Sequence, residues 1–107
     1  MKKILLLVLI FVVSLVFGQT SEEYFNEGSN KFLSSQNYEG AILDYTKAIN
    51  LNPKYLEAFY WRGKAKHDSG DFQSAINDFT KVIEIDPKNE NAYIDRGRSK
   101  NEIGDYI

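Results

Sequence analysis

The sequence predicts an all-α solenoid of antiparallel helix–turn–helix repeats, preceded by a short export signal. Three observations carry this. The chain repeats itself with a period of thirty-four residues, and apolar residues recur at helical spacing between regularly placed turn residues. The first eighteen residues are a basic start followed by an unbroken apolar run.

The N-terminal element is read first. Lys2 and Lys3 precede fourteen residues from Ile4 to Phe17 that are apolar on every face except for Ser14. As a helix they would reach about 21 Å, short of the roughly 30 Å hydrocarbon core of a bilayer. Val16 and Gly18 place small residues ahead of Gln19, the arrangement of a secretory signal peptide cleaved before Gln19. Residues 1–18 are therefore expected to be a signal peptide, with an uncleaved anchor as the alternative. The mature chain is expected to be exported, periplasmic or secreted, and not held in the membrane. Without Lys2 and Lys3, eleven of the thirteen basic residues remain against fifteen acidic ones, a formal charge of −4.

After Gln19, residues 22–55 and 56–89 form two full units and residues 90–107 a third, unfinished one. Phe25/Phe59, Ala41/Ala75, Ile42/Ile76, Asp44/Asp78, Thr46/Thr80, Lys47/Lys81, Ile49/Ile83 and Pro53/Pro87 all lie one period apart. With Glu23/Glu57, Ser35/Ser69 and Lys54/Lys88 they make eleven identities in thirty-four, against roughly two by chance. Ala92, Arg96, Gly97, Lys100, Gly104 and Asp105 repeat Ala58, Arg62, Gly63, Lys66, Gly70 and Asp71.

Each unit is predicted as two helices. In the first, helices over Glu22–Ser35 and Tyr38–Asn50 flank a turn at Gln36-Asn37. In the second, Glu57–Ser69 contains no proline, and Gly70-Asp71 supplies a residue suited to positive φ followed by a capping carboxylate. Ala75, Ile76, Phe79, Val82 and Ile83 then form an apolar stripe that stops at Asp86-Pro87, because proline pushes the residue before it out of the α region. Helices this short are held by packing against their neighbours.

The unit from Leu56 to Asn89 resembles a tetratricopeptide repeat along its whole length. Phe59, Gly63, Phe72, Ala75, Phe79, Val82 and Pro87 stand at the family's large, small and terminal-proline positions. Phe25, Ser29, Phe32, Tyr38, Ala41, Tyr45, Ala48 and Pro53 match in the first unit, and Tyr93, Gly97 and Gly104-Asp105-Tyr106 in the third. Arg62 and Arg96 replace the usual leucine beside the small residue, and Gly28 does so in the first unit. Lys66 and Lys100 stand where an aromatic is common. Arg62-Gly63 and Arg96-Gly97 resemble the "Arg-Gly" variant of bacterial arrays. The resemblance implies a right-handed superhelix of about two and a half units, whose first helices line a concave, protein-binding groove. Since the third unit stops early, its apolar face is expected to leave the array marginal or self-associating.

The resemblance places Asn26, Asn30, Leu33, Glu57, Tyr60, Lys64, His67, Asn91, Ile94, Arg98 and Asn101 on that groove. Spacings of three and four put each set on one face of its helix. Amides, an aromatic ring and cations suit an extended peptide whose backbone needs hydrogen-bond partners. Chaperone-binding relatives clamp a C-terminal carboxylate with lysines and asparagines. Asn26 and Asn30 fill the first pair of those positions here, but Trp61, Asn91 and Asp95 fill the rest, so such tails are not expected as ligands.

Little else in the sequence carries chemistry. There is no cysteine, which excludes disulfides, thiolate metal sites and a cysteine nucleophile. No GxSxG, HExxH or glycine-rich phosphate loop is present, and no basic stripe suits nucleic acid. The reading is a non-enzymatic scaffold with no cofactor and no metal. An accessory role in a longer exported protein is the alternative. The single histidine, His67, is expected to be solvated or near a helix cap. Asp44 and Asp78 are expected to be solvated or paired with a nearby lysine, and Glu22-Glu23 to favour a helix N-terminus.

Overall fold

The computed structural model describes residues 2–5 and 18–104. Residues 2–5 are helical and exposed. The rest of the expected signal peptide, residues 6–17, and the end of the third unit, residues 105–107, lie outside the described residues. No helix among the described residues is long and apolar enough to cross a membrane.

Five further helices follow: α1 (Ser21–Ser35), α2 (Tyr38–Leu51), α3 (Leu56–Asp68), α4 (Phe72–Ile85) and α5 (Glu90–Glu102). The ends of α1, α2 and α3 fall within one residue of the sequence expectation, and the turn chemistry explains why. The side chains of Thr20, Asn37, Asp71 and Asn89 accept from the backbone N–H three residues on, at 3.1, 3.0, 3.3 and 3.0 Å. Gly70 has φ +91°, and Asp71 N–H closes the end of α3 by donating to Lys66 O at 2.8 Å. The same bend in the first unit is taken by Gln36 at φ +51° without a glycine. Asn52 and Asp86, ahead of the two prolines, are extended, and their side chains accept from Lys54 and Lys88 N–H.

Successive helices pair in order, α1 on α2, α2 on α3, and so on. The first helices of neighbouring units also touch one another, α1 with α3 and α3 with α5, whereas α2 and α4 do not. The first helices are thus crowded on the inner side of the array, with α2 and α4 outside. The core is a ladder of rings and small residues. Tyr45 and Phe79 are fully buried, as are Ala41, Ala48, Ala58, Ala65, Ala75 and Ala92. A Cβ added at Gly63 would lie 2.8 Å from Phe79 Cε1, and one at Gly28 3.0 Å from Tyr45 Cε1. These glycines let an aromatic ring from the second helix press against the first.

The two equivalent aspartates are buried and fully engaged. Asp44 accepts from Lys31 at 2.6 Å, and its carboxylate holds that ammonium above the ordinary lysine pKa. Asp78 accepts from Arg62 through both oxygens, at 2.9 and 2.7 Å, with Lys66 at 3.0 Å. Of the two sequence expectations, pairing holds and solvation does not. In the second unit the leucine position taken by Arg62 is therefore an ion-pair position. Where the first unit has Gly28 instead of arginine, Lys31 comes from one turn further on.

Candidate functional site: the inner face of α1, α3 and α5

The inner face is built around a carboxylate. Asp95, on α5 and 7 % exposed, accepts a hydrogen bond from the Tyr60 hydroxyl of α3 at 2.5 Å. Arg98 Nη1 donates to its other oxygen at 3.4 Å, and Lys64 Nζ lies 4.0 Å away. Burial and the bond to Asp95 push the Tyr60 hydroxyl well above the ordinary tyrosine range, so it stays protonated and remains a donor. Asp95 thus meets two cations, Lys64 and Arg98, and a second carboxylate, Asp68, lines the cleft beside them.

Two small clefts between α3 and α5 flank this ledge. One, about 100 Å³, is lined by Lys64, His67, Asp68, Phe79, Asp95 and Arg98. The other, about 90 Å³, is lined by Leu56, Glu57, Tyr60, Trp61, Asn89 and Asn91. Six residues expected on the groove thus come together: Lys64, His67 and Arg98 in the first cleft, Glu57, Tyr60 and Asn91 in the second. Asn26, Asn30 and Leu33 are exposed on α1, and Ile94 and Asn101 are exposed on α5; none of the five lines these clefts. Trp61 bridges back to α1, its ring 5.8 Å from Phe32 and edge-on.

Of the two expectations for His67 the second holds: it lies in the last turn of α3, two residues before the C-cap Ser69, and is half-buried rather than solvated. Its Nδ1 is 2.8 Å from Ser99 Oγ on α5, and its ring stands edge-on to Phe72 at 5.1 Å. A serine beside a histidine suggests nucleophilic chemistry, but Ser99 is completely buried, so no substrate can reach its hydroxyl. The pair is a strut between α3 and α5. Among the described residues no three side chains are grouped to hold a metal ion.

Asp95 entered the sequence reading only as an acid at a clamp position, and Ser99 did not enter it at all. Neither is repeated identically: Trp61 and Glu27 stand one and two periods before Asp95, and Ala65 and Lys31 before Ser99. A repeat alignment hides such residues, because it draws attention to what recurs. The one available signal was their spacing: Asp95 and Ser99 lie four apart and so share one face of α5.

Comparison with known proteins agrees with this architecture. The TPR repeat pattern matches residues 30–70 and the tetratricopeptide repeat pattern residues 56–89, together more than half of the chain. Two crystal structures of MamA superpose with TM-scores of 0.81 and 0.80, each at 28% identity over 87% of this chain. The chain spans about half the length of those structures, 50% and 54%. No match was found among functionally curated proteins. Repeat period, helix pairing, small-residue contacts and these matches agree: the chain belongs to the tetratricopeptide repeat family and is, in general terms, a scaffold for protein interaction.

Proposed function

We propose that the chain is a non-enzymatic, exported interaction module that holds an extended peptide or partner segment along the inner face of α1, α3 and α5. The observation that carries this is the Tyr60–Asp95–Lys64–Arg98 ledge. Tyr60 and Asp95 hold each other before any ligand arrives, so less ordering entropy remains to be lost there, while Lys64 and Arg98 stay close enough to reach a ligand. Asn26 and Asn30 on α1 and Asn91 on α5 offer amides to a peptide backbone, and the ledge offers cations to one acidic side chain. The half-buried Trp61 and Tyr60 supply apolar area of the kind that dominates binding energy.

Peptide display against residues 19–107 tests the reading, with affinities then measured for inner-face and outer-face variants. Lys64→Ala, Asn91→Ala and Asn30→Ala are expected to weaken selected peptides severalfold or more, while Asn77→Ala and Lys81→Ala leave them unchanged. Peptides indifferent to all the inner-face changes would refute it. Export is tested separately by mass spectrometry of the mature N-terminus. Cleavage before Gln19 supports it, and a retained Met1 on a membrane-associated chain would point to an anchor.

A further inference from the structure

Tyr60 and Trp61 meet edge to face on α3, their ring centroids 5.6 Å apart and their planes at 88°. Both rings are held from behind. Phe32 of α1 stands edge-on to Trp61 at 5.8 Å, Phe79 of α4 lies 5.8 Å from Tyr60, and Asp95 of α5 holds the Tyr60 hydroxyl. With Leu56 the two rings wall the smaller of the inner-face clefts, about 90 Å³. A cavity that takes benzene is about 150 Å³. The cleft is therefore too small for an aromatic side chain and suits a saturated five-membered ring or a short aliphatic one. Its polar groups narrow the choice. Asn89 uses its Oδ1 to accept from the Ala92 N–H at 3.0 Å, which leaves its amide N–H groups to donate. The indole N–H of Trp61 has no partner among the described residues and is open to solvent. A ligand backbone at this place meets donors and is matched by carbonyls. The one charged side chain lining the cleft is Glu57, exposed and paired with no cation among the described residues.

A proline beside a basic residue meets these demands together. The pyrrolidine ring fits between two aromatic faces and brings no N–H of its own. In a polyproline II segment the carbonyls make no internal hydrogen bonds and are free to accept. Aromatic-lined grooves dock such segments in unrelated folds for the same reasons. Glu57 stands three and four residues before the rings, about 4.5–6 Å along α3 at about 1.5 Å per residue. A polyproline II chain covers that in about two residues, at about 3.1 Å each. We infer that the inner face takes a polyproline II segment of a partner protein, with a proline in the Tyr60–Trp61 notch and a lysine or arginine within two residues of it on Glu57. This rests on the inner face being the binding surface, and adds which class of peptide enters it and where.

Trp61 is the only tryptophan of the chain, so its emission reports on the notch itself. The probe is an unlabelled peptide of Pro-Pro-Arg repeats titrated into the protein, beside its Ala-Ala-Arg and Pro-Pro-Glu counterparts. The Pro-Pro-Arg peptide is expected to shift the emission to shorter wavelength saturably, and each counterpart to need at least a tenfold higher concentration. Glu57→Lys in the protein should weaken the Pro-Pro-Arg peptide at least tenfold and strengthen the Pro-Pro-Glu peptide. That side chain is exposed, and circular dichroism checks that the variant retains its helices. No shift with Pro-Pro-Arg, equal binding of Ala-Ala-Arg, or indifference to Glu57→Lys overturns the inference. Display-selected peptides separate its failure from failure of the reading beneath it. Selected peptides that lack proline yet weaken with Lys64→Ala and Asn91→Ala keep the inner face as the binding surface and sink the proline site. Peptides insensitive to all the inner-face changes refute both.

Discussion

Asp78 shows how much of this array's specificity rests on single polar side chains. At 4 % exposure it is paired with both Arg62 and Lys66. Removing one partner of a buried ion pair strands the other, which typically costs about 3–5 kcal/mol. Asp78→Ala is therefore expected to destabilise the chain by about that amount in urea melts. Adding Arg62→Leu and Lys66→Leu, so that no charge is stranded, should recover most of the loss. Tyr60 supplies a second test at this scale. Its pKa is raised in the folded chain, above the ordinary value of about 10. Folded and unfolded chains bind the Tyr60 proton equally below about pH 10, so its contribution to stability is intact there. Above that pH the unfolded chain releases the proton first, and stability falls as pH rises. Ultraviolet titration should show Tyr60 ionising only with alkaline unfolding, and Tyr60→Phe should remove one late-titrating group. That Asp44 and Asp78 were buried could not be read from sequence. Their partners, Lys31 and Arg62, lie thirteen and sixteen residues away on the neighbouring helix.

Among elements, Gly63 of α3 and Gly97 of α5, one period apart, make a matched pair with opposite consequences. Gly63 is closed by Phe79, so Gly63→Ala should overpack the contact and cost about 1–3 kcal/mol. Among the described residues nothing lies within 4 Å of a Cβ at Gly97, so in residues 1–107 Gly97→Ala should be neutral or raise stability by up to about 1 kcal/mol through helix propensity. Equal effects at the two positions would mean that α3–α4 packing is not as described. Phe79→Ala should cost about 3–5 kcal/mol by leaving a cavity, whereas Lys88→Ala in the exposed linker should stay within about 0.5 kcal/mol. Helix boundaries were the most legible part of the sequence, because Asn37, Asp71, Asn89, Gly70, Pro53 and Pro87 each act locally. Gln36 was the exception in detail: a left-handed residue without glycine in a turn whose position was nonetheless clear.

For the whole molecule, the period fixed the architecture but not the working surface. Phe25/Phe59, Ala41/Ala75 and Ile49/Ile83 recur because every unit must bury the same interface, so the repeat reveals packing. Tyr60, Asp95 and Ser99 are not repeated, Lys64 and Arg98 share one position only as cations, and their meeting depends on α3 and α5 lying side by side. The inner face was legible as a set of helix positions through the family resemblance. Its organisation around one buried carboxylate was legible only in three dimensions. The central claim is that the inner face is the binding surface, and amide resonance mapping with a display-selected peptide tests it most directly. The account predicts that the shifted resonances cluster on Asn30, Tyr60, Lys64, Asn91 and Arg98. A cluster on the outer helices instead, around Leu43, Lys47, Asn77 and Lys81, would contradict it.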